Sequence, residues 1–144
     1  MYNYQKNLDY YNYENNNYNQ PLFSKNENPN SLYDPYNGFI SGNMFPSLYN
    51  GYKMDPVMLD ANSEQMRMLI MLDSLCFAKT DLNLYLDIYS NDKDIINLFN
   101  QYVNETDKLL TEYENKYGPI FVDSKANMTY PWAWDNSPWP WENN

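Results

Sequence analysis

The sequence predicts an all-α fold: an antiparallel two-helix hairpin with a disordered N-terminal extension and a Pro/Trp-rich, extended C-terminal tail. Between residues 61 and 118, apolar side chains recur at steps of three, four and seven, which is the spacing of one helix face. The composition changes on both sides of this part. We therefore divide the chain into a Tyr/Asn-rich extension (1–60), a helical hairpin (61–118) and a tail (119–144).

The extension holds ten of the sixteen tyrosines, many asparagines and few aliphatic side chains. Prolines at positions 21, 29, 35, 46 and 56 interrupt regular structure further. Such a segment buries too little apolar surface to offset its backbone entropy, so we expect it to be disordered in isolation. Two roles stay open. It is either a passive spacer, or an arm for self-association or crosslinking, because Asn/Tyr-rich tracts favour assembly.

The first predicted helix starts near Asn62 or Ser63, either of which can act as the N-cap, with Glu64 favourable in the first turn. Its apolar stripe comprises Met68, Leu72, Leu75, Leu82, Leu86 and Tyr89. Residues 82–89 also alternate like a strand. Leucine is a good helix former, however, and no second alternating run is present to pair with this one, so a helix is favoured.

Ser-Asn-Asp at residues 90–92 predicts a stop and a new N-cap, and Asp92 and Asp94 suit the start of the second helix. Its stripe comprises Ile95, Phe99, Tyr102, Thr106, Leu109, Tyr113 and Tyr117. Glu112 and Lys116 have the spacing of a favourable helical ion pair, and Gly118 followed by proline ends the helix. The two helices would have about 27 and 26 residues, and equal lengths with a short link predict an antiparallel hairpin.

The two helices carry more apolar side chains than one seam between them can bury. The surplus residues are Leu69, Ile70, Phe77, Leu84, Ile88, Ile96, Leu98, Val103 and Leu110. A two-helix fold of this size is only marginally stable. We therefore expect the Trp-rich tail, another copy or a different protein to cover them.

The tail ends in a tandem repeat of Pro-Trp-x-Trp-acid-Asn, which contains all four tryptophans of the chain. Each ring can bury about 150–250 Å², and the prolines favour an extended, polyproline-like path. The rings either pack on the hairpin or anchor a partner, where Trp and Tyr are frequent hot spots. The partner-binding candidates are Trp132, Trp134, Trp139 and Trp141, with Tyr85 and Tyr117 as weaker ones.

The composition argues against several classes of function. The formal charge is −10 and the few Lys and Arg residues are scattered, which disfavours nucleic acid and anionic membranes. The chain has no histidine, so His-dependent catalysis and Cys/His zinc sites are not expected. We predict no catalytic, cofactor-binding or metal-binding residues.

The single cysteine, Cys76, precludes an intrachain disulfide, and it is either a small buried hydrophobe or an interchain crosslink. The longest conspicuous apolar run, residues 68–72, is too short to span a bilayer. The N-terminus lacks the apolar core of a signal peptide. We therefore expect synthesis and retention in a cytoplasm, or assembly from one.

Five pieces, taken in order, carry a resemblance to a known family. They are Asp-Leu-Asn-Leu-Tyr-Leu-Asp at 81–87, an Asn-Asp turn at 91–92, Tyr-Glu-Asn-Lys-Tyr-Gly-Pro at 113–119, Trp-Ala-Trp at 132–134 and Pro-Trp-Pro-Trp-Glu at 138–142. This order resembles the CotJB family of spore coat proteins over about residues 66–142. Residues 88–90 depart from the Thr-His-Pro that family members often carry, and the long extension is a second departure.

The resemblance implies a structural component of the endospore coat, made in the mother cell and deposited on the forespore. It also implies a non-enzymatic role in assembling a companion similar to manganese catalases, alongside other coat proteins. Two other functions compete with this one. A small enzyme would use Glu112 with Glu114, or Asp92 with Asp94, but residues two apart on a helix do not share a face. The alternative to the adaptor is a spore-wall or carbohydrate-binding module that uses the Trp repeat.

Overall fold

The computed structural model describes residues 32–49, 51 and 56–135, and no β-strand occurs within those ranges. Three α-helices follow one another in this part of the chain: α1 (Pro35–Ser41), α2 (Glu64–Ile88) and α3 (Lys93–Tyr117). The two long helices have 25 residues each and are joined by four residues. They pack against each other with the start of α2 beside the end of α3, so the predicted antiparallel hairpin is confirmed.

The ends of the long helices are set by local chemistry. Ser63 is the N-cap of α2, and its hydroxyl accepts the Met66 N–H at 3.1 Å. Asp92 is the N-cap of α3 and accepts the Ile95 N–H at 3.2 Å. At the far end of α3, Gly118 adopts a positive φ of 100°, a conformation that L side chains rarely adopt. The predicted caps and stop are therefore confirmed.

The main core lies along the seam of the hairpin and receives one residue from outside it. Its buried members are Met44, Leu75, Ala78, Leu82, Ile95, Leu98 and Tyr102. Six of these residues belong to α2 or α3, and four of the six lie on the predicted stripes. Tyr89, in contrast, is mostly exposed at the end of α2, so the first stripe does not extend that far.

The described part of residues 1–60, a segment that we expect to be disordered in isolation, is ordered where it packs on the hairpin. α1 packs on α2, and Met44 is fully buried in the hairpin core. The Met44 N–H donates to the Asp81 carboxylate at 2.7 Å, and the Phe39 ring lies 5.9 Å from that of Phe77. The predicted surplus of apolar surface was correct. A segment of the extension covers part of it, and that segment was not among the three coverings expected.

The prolines of this segment support local structure instead of breaking it. Pro35 lies in the first turn of α1, where its missing N–H costs no helical hydrogen bond. Asp34 caps the same helix by accepting the Asn37 N–H at 3.0 Å. Gly42 ends the helix with a φ of 71°. Pro46 begins a 3-10 turn.

Two further expectations need correction. Lys116 forms its ion pair with Glu64 on the other helix, not with Glu112 four residues away. The tail does not follow an extended path over residues 119–135, since it contains 3-10 turns at Lys125–Asn127 and Ala133–Asp135 and a cis Tyr130–Pro131 bond. The Pro-Trp-Pro-Trp stretch lies outside the described residues.

Candidate partner-binding surface

Residues 119–135, which we call the tail loop, are tied to the end of α3 by one carboxylate. Glu114 accepts the Ile120 N–H at 3.1 Å through one oxygen and the Ser124 hydroxyl at 2.6 Å through the other. Bonds to an ionised acceptor are stronger than bonds between neutral groups. The chain after Gly118 is therefore turned back on the helix that it has just left.

A buried asparagine holds the interior of the tail loop. The Asn127 side-chain amide donates to the carbonyls of Phe121 and Val122, both at 2.9 Å. The Lys125–Asn127 turn also contacts the Ala133–Asp135 turn. Part of the polar backbone of the loop is thus paired internally, while several of its large apolar side chains are exposed.

The tail loop presents an unusual density of exposed large apolar side chains. They are Phe121, Val122, Met128, Tyr130 and Trp132. Trp132 is 52% exposed and Tyr130 is fully exposed. Exposed apolar residues that are scattered singly need no explanation, but a cluster of them within one short loop is typical of an interaction site.

The four tryptophans that we predict to bind a partner fall into two groups. Trp132 and Trp134 lie on the tail loop, and Trp134 is the more covered of the two. Neither ring belongs to the hairpin core. Trp139 and Trp141 lie outside the described residues, so their placement on the hairpin or on a partner stays a prediction.

The two predicted tyrosines lie at opposite ends of the hairpin and contact other parts of the chain. The Tyr85 hydroxyl donates to Asp92 at 3.0 Å, and this bond, together with partial burial, raises the pKa of Tyr85. The centroids of the Tyr117 and Tyr113 rings are 5.1 Å apart, and the Lys116 ammonium lies 5.3 Å from the centroid of the Tyr117 ring. Both rings are partly engaged within the protein.

A second exposed apolar group lies at the turn of the hairpin, about 36 Å along α2 from its start. Leu84 and Ile88 are one helical turn apart on the same face, and Ile88 is 75% exposed. Both were among the surplus apolar residues identified from the sequence. They were not among the binding candidates, because nothing in the sequence distinguished them from the other surplus residues.

Two of the four carboxylates named as acid/base candidates have structural roles. Asp92 caps α3 and accepts from Tyr85, and Glu114 holds the tail loop. No group of three or more potential metal ligands occurs in the part of the chain that the structure describes. Burial raises the pKa of the half-buried Cys76 thiol, which disfavours the reactive thiolate.

The described residues thus define a small helical protein whose notable surfaces are apolar and aromatic. No helix among them is both long and apolar enough to span a membrane. The CotJB protein family matches residues 66–142, which is 77 of the 144 residues, and the chain belongs to this family. No curated protein and no solved structure matches the chain.

CotJB is a spore coat protein family and is not known as an enzymatic one. The chain is therefore a spore coat-related protein, and the family implies that it is located in the spore coat. The family match begins at residue 66, so α1 and the core residue Met44 lie outside it.

Proposed function

We propose that this chain is a non-enzymatic assembly protein of the spore coat. It helps to assemble a manganese-catalase-like companion, and it uses the tail loop and the Trp repeat as its docking surface. The observation that carries the proposal is the exposure of Trp132, Tyr130 and Met128 on a loop that Glu114 and Asn127 hold by hydrogen bonds. An apolar surface that is already ordered loses little entropy on binding.

The proposed anchors are the four tryptophans, with Trp132 best supported because its ring is half-exposed on the tail loop, close to the exposed Tyr130 in sequence. Burying an aromatic anchor at an interface is commonly worth 2 kcal/mol or more. Tyr85 and Tyr117 contribute less in this proposal, because their rings and hydroxyls already contact neighbouring residues. The protein's net charge of −10 favours a companion whose matching surface is neutral or basic.

Co-expression with the catalase-like companion, followed by size-exclusion chromatography and titration, tests the proposal. We expect a complex with the wild-type chain. Trp132→Ala should weaken it by about 30-fold, which corresponds to about 2 kcal/mol, without lowering the melting temperature. Ile88→Ala is the matched control, because it removes an exposed apolar side chain at the other end of the hairpin.

The outcomes separate the competing interpretations. If Trp132→Ala binds the companion normally and Ile88→Ala does not, the docking surface lies at the turn of the hairpin instead. Absence of any complex with the companion, together with Trp132-dependent retention on purified spore peptidoglycan, would favour the carbohydrate-binding alternative. Coupled loss of binding and thermal stability in Trp132→Ala would assign that ring to a structural role.

A further inference from the structure

Three aromatic rings meet at the turn of the hairpin. The Tyr85 ring lies 5.0 Å from that of Phe45, at an interplanar angle of 22°. It also lies 4.7 Å from the Tyr89 ring, at 35°. Tyr89 is the C-cap of α2, and its N–H donates to the Tyr85 carbonyl at 2.9 Å, so the last turn of the chain around this helix end holds the two residues together.

The Tyr85 phenol is hydrogen-bonded to a base, the Asp92 carboxylate. Its hydroxyl donates to one carboxylate oxygen of Asp92 at 3.0 Å, while the other oxygen accepts the Ile95 N–H and caps α3. This hydrogen bond is the largest cause that raises the pKa of Tyr85, so the phenol is protonated at neutral pH. Removing an electron from the ring therefore requires the proton to leave as well, and Asp92 is in place to accept it.

Tyr89 makes the pair accessible. It is 55% exposed, whereas Tyr85 is partly covered by Phe45. An oxidant in solution can therefore reach the Tyr89 ring directly. Two groups held at contact distance react with a high effective concentration, and rotation of the half-exposed Tyr89 side chain can bring ring carbons closer.

We propose that Tyr85 and Tyr89 form an oxidative modification site, at which a peroxidase-class one-electron oxidant with hydrogen peroxide joins the two rings by a carbon–carbon bond. Each phenol loses one electron and one proton, and Asp92 takes the proton of Tyr85. The two radicals then couple through the ring carbons next to their hydroxyl-bearing carbons. The hydrogens on those carbons transfer to the oxygens and restore both phenols.

The reaction balances with one molecule of peroxide. The two tyrosines together give up two electrons and two protons, and hydrogen peroxide takes them to form two molecules of water. The product is a covalent link between the ring that packs on Phe45 and the C-cap residue of α2. The inference does not depend on the companion or on the tail loop.

A second tyrosine pair in the same chain provides an internal comparison. Tyr113 and Tyr117 are 5.1 Å apart, but Tyr113 is fully buried and its hydroxyl accepts from Gln65. The Glu64 carboxylate near Tyr117 is paired with Lys116, which lowers the pKa of Glu64 and makes it a weaker proton acceptor. We expect this pair to couple more slowly than Tyr85 and Tyr89.

Peptide mapping after brief treatment of the full chain with a heme peroxidase and hydrogen peroxide tests the proposal. Tryptic cleavage after Lys79 and Lys93 yields a peptide in which Tyr85 and Tyr89 are the only tyrosines. Coupling within the pair removes two hydrogen atoms from the mass of that single peptide. Coupling between Tyr113 and Tyr117 would instead join two peptides, because Lys116 lies between those residues.

We expect the two-hydrogen loss in the wild-type peptide and in Tyr117→Phe, and its absence in Tyr89→Phe. Asp92→Asn keeps a good N-cap but removes the base. It should slow coupling by at least about tenfold, since a positioned base commonly contributes 10²–10⁴-fold. If the peptide stays unmodified under oxidant treatment that crosslinks other tyrosines, the proposed modification site is wrong. Wild-type kinetics in a folded Asp92→Asn protein would overturn the role of the carboxylate.

Discussion

At the residue scale, Asp81 connects the N-terminal segment to the hairpin. It lies on α2, and its carboxylate accepts the backbone N–H of Met44, which is 37 residues away in sequence. The bond turns the chain so that the Met44 side chain enters the core between α2 and α3. A backbone donor at such a position has no access to water, and losing its acceptor carries the full cost of its desolvation.

Asp81→Ala should therefore lower the free energy of unfolding by about 1–3 kcal/mol. Asp81→Asn should cost less, because the amide oxygen still accepts a hydrogen bond. Asp87→Ala is the matched control on the exposed face of the same helix and should change stability by less than about 0.5 kcal/mol. Urea unfolding followed by circular dichroism measures all three. Equal stability of the Asp81→Ala and Asp87→Ala proteins would contradict this role.

At the element scale, the Glu64–Lys116 ion pair joins the start of α2 to the end of α3, at the end of the hairpin away from its turn. Both side chains are partly exposed. The hydrogen bond and charge of Lys116 lower the pKa of Glu64 below its ordinary value of 4.5. A carboxylate with a lowered folded-state pKa stabilises the fold above its unfolded pKa. That stabilisation is lost as the pH falls through the folded-state pKa.

Glu64→Gln should consequently lower the melting temperature slightly at pH 7 and have no effect in acid well below pH 4.5. High salt should reduce the difference at pH 7 because the pair is exposed. Glu112→Gln serves as the control, since Glu112 is exposed on α3 and Lys116 pairs elsewhere. Differential scanning calorimetry across pH measures the effect. A Glu64→Gln difference that grows in acid would contradict the assignment.

The long helices were predictable from the sequence because their signals are local. Ser63, Asp92 and Gly118 each act within four residues of their own position, so their side chains and backbone preferences could be interpreted without tertiary structure. α1 has caps of the same kind, Asp34 and Gly42, but its seven residues are too few to show an apolar stripe. Its seven residues are stabilised by Met44 in the core and by the Asp81 bond, and both contacts cross long stretches of sequence.

The binding surface was predictable only in part for a similar reason. Trp132 could be predicted from composition alone, because tryptophans next to prolines on a short tail are unusual. The exposure of Met128 and Tyr130 depends on the turn held by Glu114 and Asn127, and no spacing rule indicates such a turn. The stack of Tyr85 on Phe45 likewise joins residues 40 positions apart.

At the scale of the whole molecule, the described part of the extension is structurally integrated with the hairpin. α1 packs on α2, Phe45 lies against Tyr85, and the Tyr36 hydroxyl accepts the Leu59 N–H where the chain returns toward α2. Gly38 permits the close approach, because a Cβ at that position would overlap the Met44 sulfur. The fold therefore includes more of the chain than the stretch that matches the family.

Met44→Ala tests whether the segment and the hairpin unfold as one unit. Met44 is fully buried, so the substitution should cost about 2–5 kcal/mol and shift a single urea transition to lower concentration. Met128→Ala removes the same atoms at an 81% exposed site and should leave the transition nearly unchanged. If α1 were only an appendage, Met44→Ala would release it while the hairpin still unfolded at the wild-type urea concentration. Fluorescence of a label near α1, compared with far-ultraviolet circular dichroism, distinguishes these results, and we expect the two probes to coincide.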